Sequence, residues 1–231
     1  MKHLYRFLGN KGSQWTLDPL EIEHMLNVLR LKAGDKFEIF DGQGNLAEAR
    51  IERTSKREVS MMIEKEHFID SKAVHLEIAV GALKPSTYDD LLPPLVELGV
   101  TRIIIFGQDH VSKDRISDKV HDRFKRIVVA AAKQCKTLWL PEVISVKSLD
   151  DLLLSSALPT LVLLPEAEGN LLPMVSQYSK GVRCIIGGEK GFSEREMILL
   201  NEYSHARLSS NVLRAWTAAV SVAAVFSSSL N

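Results

Sequence analysis

Gly187, Gly188 and Gly191 put three flexible backbone positions within five residues, in the run Cys184-Ile-Ile-Gly-Gly-Glu-Lys-Gly-Phe-Ser-Glu-Arg-Glu. The apolar run 182–186 before them reads as a buried strand. Ser193, followed three residues later by Glu196, is a capping box that starts a helix. A strand that empties through a glycine loop into a helix is where α/β proteins place ligands. The loop lacks the Gly-Lys-Ser/Thr ending of a polyphosphate cradle. It offers backbone N–H and C=O groups, the Glu189 carboxylate and close approach to a flat group. That suits an adenine nucleotide, or a nucleoside cofactor without a polyphosphate.

Arg214 is the second residue with chemical promise. It falls in the first turn of a helix expected over residues 211–228. Val212, Trp216, Ala219, Ala223 and Phe226 make that helix's apolar face, widened by Leu213, Val220 and Ala224. A helix so apolar must be buried, in its own domain or against another subunit. If the two segments share a sheet edge, Arg214 stands beside the glycine loop; the plainer alternative is an ion pair with a carboxylate such as Glu189.

A third cluster is basic. Formal net charge over all 231 residues is zero, yet residues 102–136 hold nine Lys or Arg against four Asp. On a helix beginning near Ser117, Val120, Phe124, Ile127 and Ala131 form one stripe. Lys119, Arg123 and Arg126 form an adjoining one, extended backward by Arg115. Basic side chains in a row suit a phosphate backbone; a solvated face balanced by Asp118 and Asp122 is the alternative.

Other chemistries are missing. No HExxH, GxSxG or Walker sequence occurs, and no His, Cys or Asp cluster has metal spacing, so no metal is expected. Gly42-x-Gly44-x-x-Ala47 matches a dinucleotide fingerprint in letters, but alternating residues follow it, which predicts a hairpin turn. Cys135 and Cys184 sit in apolar segments and read as inert thiols. No secretory signal opens the chain, and charged residues and serines break its most apolar windows, so a cytoplasmic protein with no membrane span is expected.

Two domains must position these groups. Residues 1–70 are β-rich: 36–40, 47–51 and 59–63 alternate with period two. One helix over 19–31 interrupts them, with Asp18-Pro19 as its start and Leu20, His24, Asn27, Val28 and Leu31 at helical spacing. A small barrel or curled sheet closes such strands. Over residues 71–231, apolar runs at 76–83, 103–106, 161–164 and 182–186 alternate with helical stretches. That predicts an α/β domain with a mainly parallel sheet covered on both faces.

Taken together, these motifs resemble the ribosomal RNA small-subunit methyltransferase E family of the SPOUT superfamily. The glycine loop resembles that family's Gly-Pro-Glu-Gly-Gly-Phe-Ser, and residues 208–217 its closing Leu-Gly, Leu-Arg, Glu-Thr-Ala motif. Val96-Glu-Leu-Gly-Val, Lys125-Arg-Ile through Ala132 with Gln134, and Pro141-Glu-Val match its middle. His24-Met-Leu-Asn-Val-Leu-Arg and Phe40-Asp-Gly resemble its PUA-like, RNA-gripping barrel.

The resemblance implies a SPOUT methyltransferase domain with a trefoil knot, a homodimer, and S-adenosylmethionine as methyl donor. It implies N3 of a uridine in small-subunit (16S) ribosomal RNA as the target. The cofactor would rest on Leu164, Pro165 and Glu166; on Ile186, Gly187, Gly188 and Gly191; and on Leu208, Ser209, Val212 and Leu213. Arg214 would be the catalytic cation or would hold the substrate phosphate, and Arg30, Arg115, Lys119, Arg123 and Arg126 would meet RNA.

This sequence departs from the family at Gly188 (Pro), Lys190 (Gly), Trp216 (Glu), Pro93-Pro94 (Gln-Lys), and at Gln108-Asp-His110, which replace its usual acidic, basic and Ser residues. An inward-pointing Lys190 would oppose a sulfonium. A noncatalytic RNA-binding relative is therefore the alternative reading.

Overall fold

The computed structural model describes residues 4–55, 58–71, 74–111, 118–155 and 157–229; the side chains of Asp118 and Lys119 and all of Arg115 lie outside that description. The chain forms two compact units, Met1–Ser71 with Ala132–Leu140, and Lys72–Ala131 with Pro141–Asn231.

In the smaller unit, β1 (Arg6–Lys11), β2 (Trp15–Leu17), β3 (Lys36–Phe40), β4 (Asn45–Thr54) and β5 (Val59–Phe68) form one sheet in the order β2-β1-β3-β4-β5. Only the β1–β3 pairing is parallel. Alternation puts Phe37, Ile39, Ala47, Ala49 and Ile51 on the inner face with Phe7, Trp15 and Met25. The glycines of the false fingerprint turn β3 into β4: Gly42 and Gly44 take φ of 75° and 95°, where a side chain is strained.

The helix expected over 19–31 divides. Asp18 caps α1 (Pro19–Glu23) by accepting from the Leu20 N–H at 2.9 Å. A π-helical turn, His24–Val28, follows. Leucine at 20 and valine at 28, expected inward, are 65% and 66% exposed, while Glu21 and Met25 are buried. The reason is tertiary. Lys133 Nζ donates to both Glu21 oxygens, at 2.8 and 2.9 Å, which makes burial of that carboxylate tolerable. Arg30, exposed and with φ of 55°, ends the turn.

The larger unit carries six parallel strands: β6 (His75–Gly81), β7 (Arg102–Phe106), β8 (Glu142–Val146), β9 (Thr160–Leu163), β10 (Gly181–Ile186) and β11 (Ser204–Ala206). Their order is β11-β9-β10-β6-β7-β8. β8 and the three-residue β11 carry no long apolar run, which is why the sequence reading omits them. One sheet face packs on α2 (Tyr88–Glu97), α3 (Asp118–Cys135) and α6 (Ala215–Ser229), burying Leu91, Phe124 and Phe226. The other packs on α4 (Leu149–Leu153) and α5 (Glu194–Leu200) through Leu152 and Leu200. Strands covered on both faces explain the unbroken apolar runs.

Helix α6 starts four residues later than expected, at Ala215 rather than Asn211. The Asn211 N–H donates to Ser209 Oγ (3.1 Å), and the first helical bond runs from Ala218 N–H to the Arg214 carbonyl (2.9 Å). Residues 211–214 thus stay in a loop. Val212 is 81% exposed, and the buried face is Ala218, Ala219, Val222, Ala223 and Phe226. Cys184 is fully enclosed, and burial pushes its thiol well above the usual range, so it is unreactive.

Candidate functional site

Six parallel strands point their carboxyl ends the same way, and the chain changes direction between β10 and β6, since β7 and β8 lie on one side and β9 and β11 on the other. A cleft opens at such a point because the loops leave to opposite sides. Here it holds a cavity of about 710 Å³, within the range of small-molecule sites.

Three loops build its wall, and they are the three singled out from the sequence. Leu164, Pro165 and Glu166 follow β9. Ile186, Gly187, Gly188 and Gly191 follow β10. Leu208, Ser209, Val212, Leu213 and Arg214 precede α6. The sequence reading missed the fourth wall, Leu83, Lys84, Thr87 and Asp90, which follows β6, and also Phe192, Met197 and Trp216. Only the strand order brings residues 83–90 here, and no local motif signals them.

The glycine loop is a tight turn. Gly191 N–H donates to the Gly188 carbonyl at 3.1 Å, and Gly191 has φ of 69°. Glu189 and Lys190 occupy the turn's corners and are exposed. Lys190 is not part of the cavity wall, so the inward-pointing charge considered above does not arise. After the turn, the capping box forms as expected: Ser193 Oγ accepts from the Glu196 N–H (3.0 Å), and Glu196 Oε2 from the Ser193 N–H (2.8 Å). Buried Glu196 also accepts from the Asp109 N–H at 3.1 Å, tying the segment after β7 to α5.

Polar groups around the cavity are of both signs. Asp90, Glu166 and Glu189 bring carboxylates, and Lys84 and Arg214 bring cations. Glu189 pairs loosely with Lys84 at 3.7 Å rather than with Arg214. Arg214 is exposed and makes no ion pair or hydrogen bond through its side chain among the described residues. It is free to meet a ligand. Apolar surface comes from Leu163, Leu164, Ile186, Leu208, Leu213 and Met197.

Of the basic residues, Arg123 is paired with Asp89 of α2, while Arg126 is exposed and, among the described residues, reaches only the Asp122 carbonyl, at 3.4 Å. Arg30 belongs to the smaller unit and is exposed. Among the described residues no group of His, Cys, Asp and Glu could hold a metal ion, and no helix is long and apolar enough to cross a membrane.

Comparison with known proteins bears on this architecture. The family model described as an RNA methyltransferase domain matches residues 70–227, and the one described as an RNA methyltransferase PUA domain matches residues 17–60. Ribosomal RNA small subunit methyltransferase E 1 of Borreliella burgdorferi is 26% identical over 226 residues, covering 93% of this chain and 92% of that protein. The corresponding methyltransferase E of Aquifex aeolicus is 28% identical, covering 96% and 98%. A crystal structure of ribosomal RNA small subunit methyltransferase E from Neisseria gonorrhoeae, bound to S-adenosyl methionine, superposes with a TM-score of 0.82. It covers 98% of each chain at 23% identity, and it shares the fold. Because the domain model spans more than half of the sequence and takes in all three loops of the cavity, this chain belongs to the RNA methyltransferase family.

Proposed function

We propose that the chain transfers a methyl group from S-adenosylmethionine to N3 of a uridine in small-subunit ribosomal RNA. The observation that carries this reading is the convergence of three sequence-distant loops on one cavity lined by glycine backbone, apolar side chains and carboxylates. Those features suit a nucleoside with a cationic tail. Backbone groups at 187–191 can meet a base edge, Leu164, Ile186, Leu208 and Leu213 can cover its faces, and Asp90 and Glu166 can offset a positive charge. The relatives named above are ribosomal RNA methyltransferases, and one is bound to this donor.

When bound, S-adenosylmethionine supplies an activated methyl group, so the protein's task is chiefly alignment. With the donor held there, uridine N3 would have to give its proton to water before its lone pair could accept the methyl group, and the residues of this chain would hold the two in line. Arg214, exposed at the cavity and without a partner among the described residues, serves as the cation for the negative charge that develops on the uridine carbonyls, or for the adjoining phosphate. Arg30 and Arg126 supply exposed charge for the RNA backbone, with Arg115, Lys119 and Arg123 as further members. Arg123 must exchange Asp89 for phosphate to join them. A cytoplasmic homodimer with α6 at its contact, and a knot in the larger unit, complete the proposal.

Calorimetry with S-adenosylmethionine and its demethylated product tests cofactor binding, and nucleoside mass spectrometry of small-subunit RNA from a deletion strain tests the target. Full uridine methylation in that strain overturns the enzyme reading. The departure at Trp216, which lines the cavity, favours a second reading, a noncatalytic RNA-binding relative. It predicts salt-sensitive RNA binding with no cofactor heat, and a clear calorimetric signal rejects it.

A further inference from the structure

Gln108, noted so far only as part of a departure from the resembling family, is a buried polar side chain, and only 5% of it is exposed. Its position just past β7 brings it across the sheet to the glycine loop. Gln108 Oε1 accepts from the Gly188 N–H at 2.9 Å, and Gln108 Nε2 donates to the Gly191 carbonyl at 2.8 Å. The amide thus pairs with both ends of the 188–191 turn, as a neighbouring strand would. Space for it exists only because two neighbours lack side chains. A Cβ on Gly81 would stand 2.1 Å from Gln108 Oε1, and one on Gly188 would stand 2.4 Å from it.

We propose that Gln108 is a positioning residue that holds the cofactor loop in its binding shape and takes over the role of a rigid residue at position 188. The reasoning is steric and conformational. A glycine at 188 loosens the turn, because its backbone visits many conformations. Gln108 removes that freedom by fixing the N–H and C=O at the two ends of the turn. Proline would remove it covalently, by locking φ and deleting the same N–H. Gly188 is not among the glycines with positive φ, so a proline ring is compatible with the sign of its φ. The two devices exclude each other, since Gln108 Oε1 occupies the space beside residue 188. Gln108 and Gly188 therefore act as one unit, and this accounts for Gly188 standing where the resembling family has Pro. The inference rests on the reading of the cavity as the S-adenosylmethionine site.

The test is a mutant cycle in the full-length protein, with calorimetry of S-adenosylmethionine, amide hydrogen exchange of the ligand-free protein, and thermal unfolding. Wild-type protein binds the cofactor and shows a protected Gly188 amide. Gln108→Ala weakens binding roughly tenfold, from the loss of two hydrogen bonds, and speeds loop exchange while the unfolding midpoint stays nearly unchanged. Gly188→Pro alone also weakens binding, because the ring meets the Gln108 oxygen. The double variant Gln108→Ser/Gly188→Pro returns to within about threefold of wild type, the non-additivity expected of coupled neighbours. Additive losses in the double variant overturn the proposal, and so does fast exchange of the Gly188 amide in wild type. Absence of cofactor heat from wild type with that amide protected overturns the cofactor reading on which the proposed role rests, while leaving the geometry of the clamp intact.

Discussion

Arg195 grips Asp109 with two hydrogen bonds, Nε to Oδ2 at 3.0 Å and Nη2 to Oδ1 at 2.9 Å. The same guanidinium donates to Asp150 at 3.0 and 3.1 Å, so one cation on α5 ties down both the segment after β7 and the first turn of α4. With a further bond from Ser193 Oγ, the Asp109 carboxyl is held at about 2, below its ordinary 3.8, chiefly by Arg195. Asp150 is lowered by the same partner.

The consequence for pH has a definite sign. The folded state prefers the ionised Asp109, so the unfolded chain takes up its proton first as pH falls. Stabilisation from Asp109 is complete above about pH 4 and fades toward pH 2, across the interval between 3.8 and about 2. Thermal unfolding of wild type and Asp109→Asn from pH 6 to pH 2 should give curves that converge at the acid end. Parallel curves throughout that range would contradict the assignment.

Arg183 is 1% exposed, donates from Nε to Glu77 Oε2 at 2.8 Å and from Nη1 to the Leu152 carbonyl at 2.5 Å, and leaves Nη2 without a partner among the described residues. Removing its counter-charge strands a cation in the core. Glu77→Ala should cost about 3–5 kcal/mol, read from urea unfolding. Adding Arg183→Met should recover a large part of that, because the uncompensated charge is then gone.

Gly44 combines left-handed φ with crowding, since a Cβ there would stand 2.5 Å from the Ile69 carbonyl oxygen and 2.7 Å from the Trp139 ring. Gly34 has φ of 93° but nothing within 4 Å. Gly44→Ala should therefore destabilise by about 2–4 kcal/mol, strain and overpacking together, and Gly34→Ala by only about 1–2 kcal/mol. Equal losses would show that backbone strain alone matters at both sites.

Arg214 separates binding from chemistry. Arg214→Ala should leave the cofactor dissociation constant within about threefold and slow single-turnover methyl transfer to RNA by about 100-fold or more. A proportionate loss of cofactor affinity would assign the side chain to the cofactor and not to the substrate.

Trp216 and Lys190 show where a sequence departure misleads. Lys190 looks hostile to a sulfonium in the linear sequence, but the turn between Gly188 and Gly191 carries it away from the cavity wall. Trp216 does line the wall, half-buried at the start of α6.

Local signals in the chain were enough for the elements that local physics controls. The Ser193–Glu196 capping box, the Gly42–Gly44 turn and the doubly covered strands β6, β7, β9 and β10 each depend on groups a few residues apart. The glycine loop was legible for the same reason, whereas the loops at 164–166 and 208–213 were named through the family likeness alone. Tertiary structure decided the rest. Glu21 meets Lys133 across 112 residues, Glu77 meets Arg183 across 106, and Gln108 meets Gly191 across 83. The start of α6 at Ala215 and the cavity wall at residues 83–90 were decided in the same way. Periodicity says which face of an element is apolar, but strand order alone determines which polar side chains meet when those faces are buried.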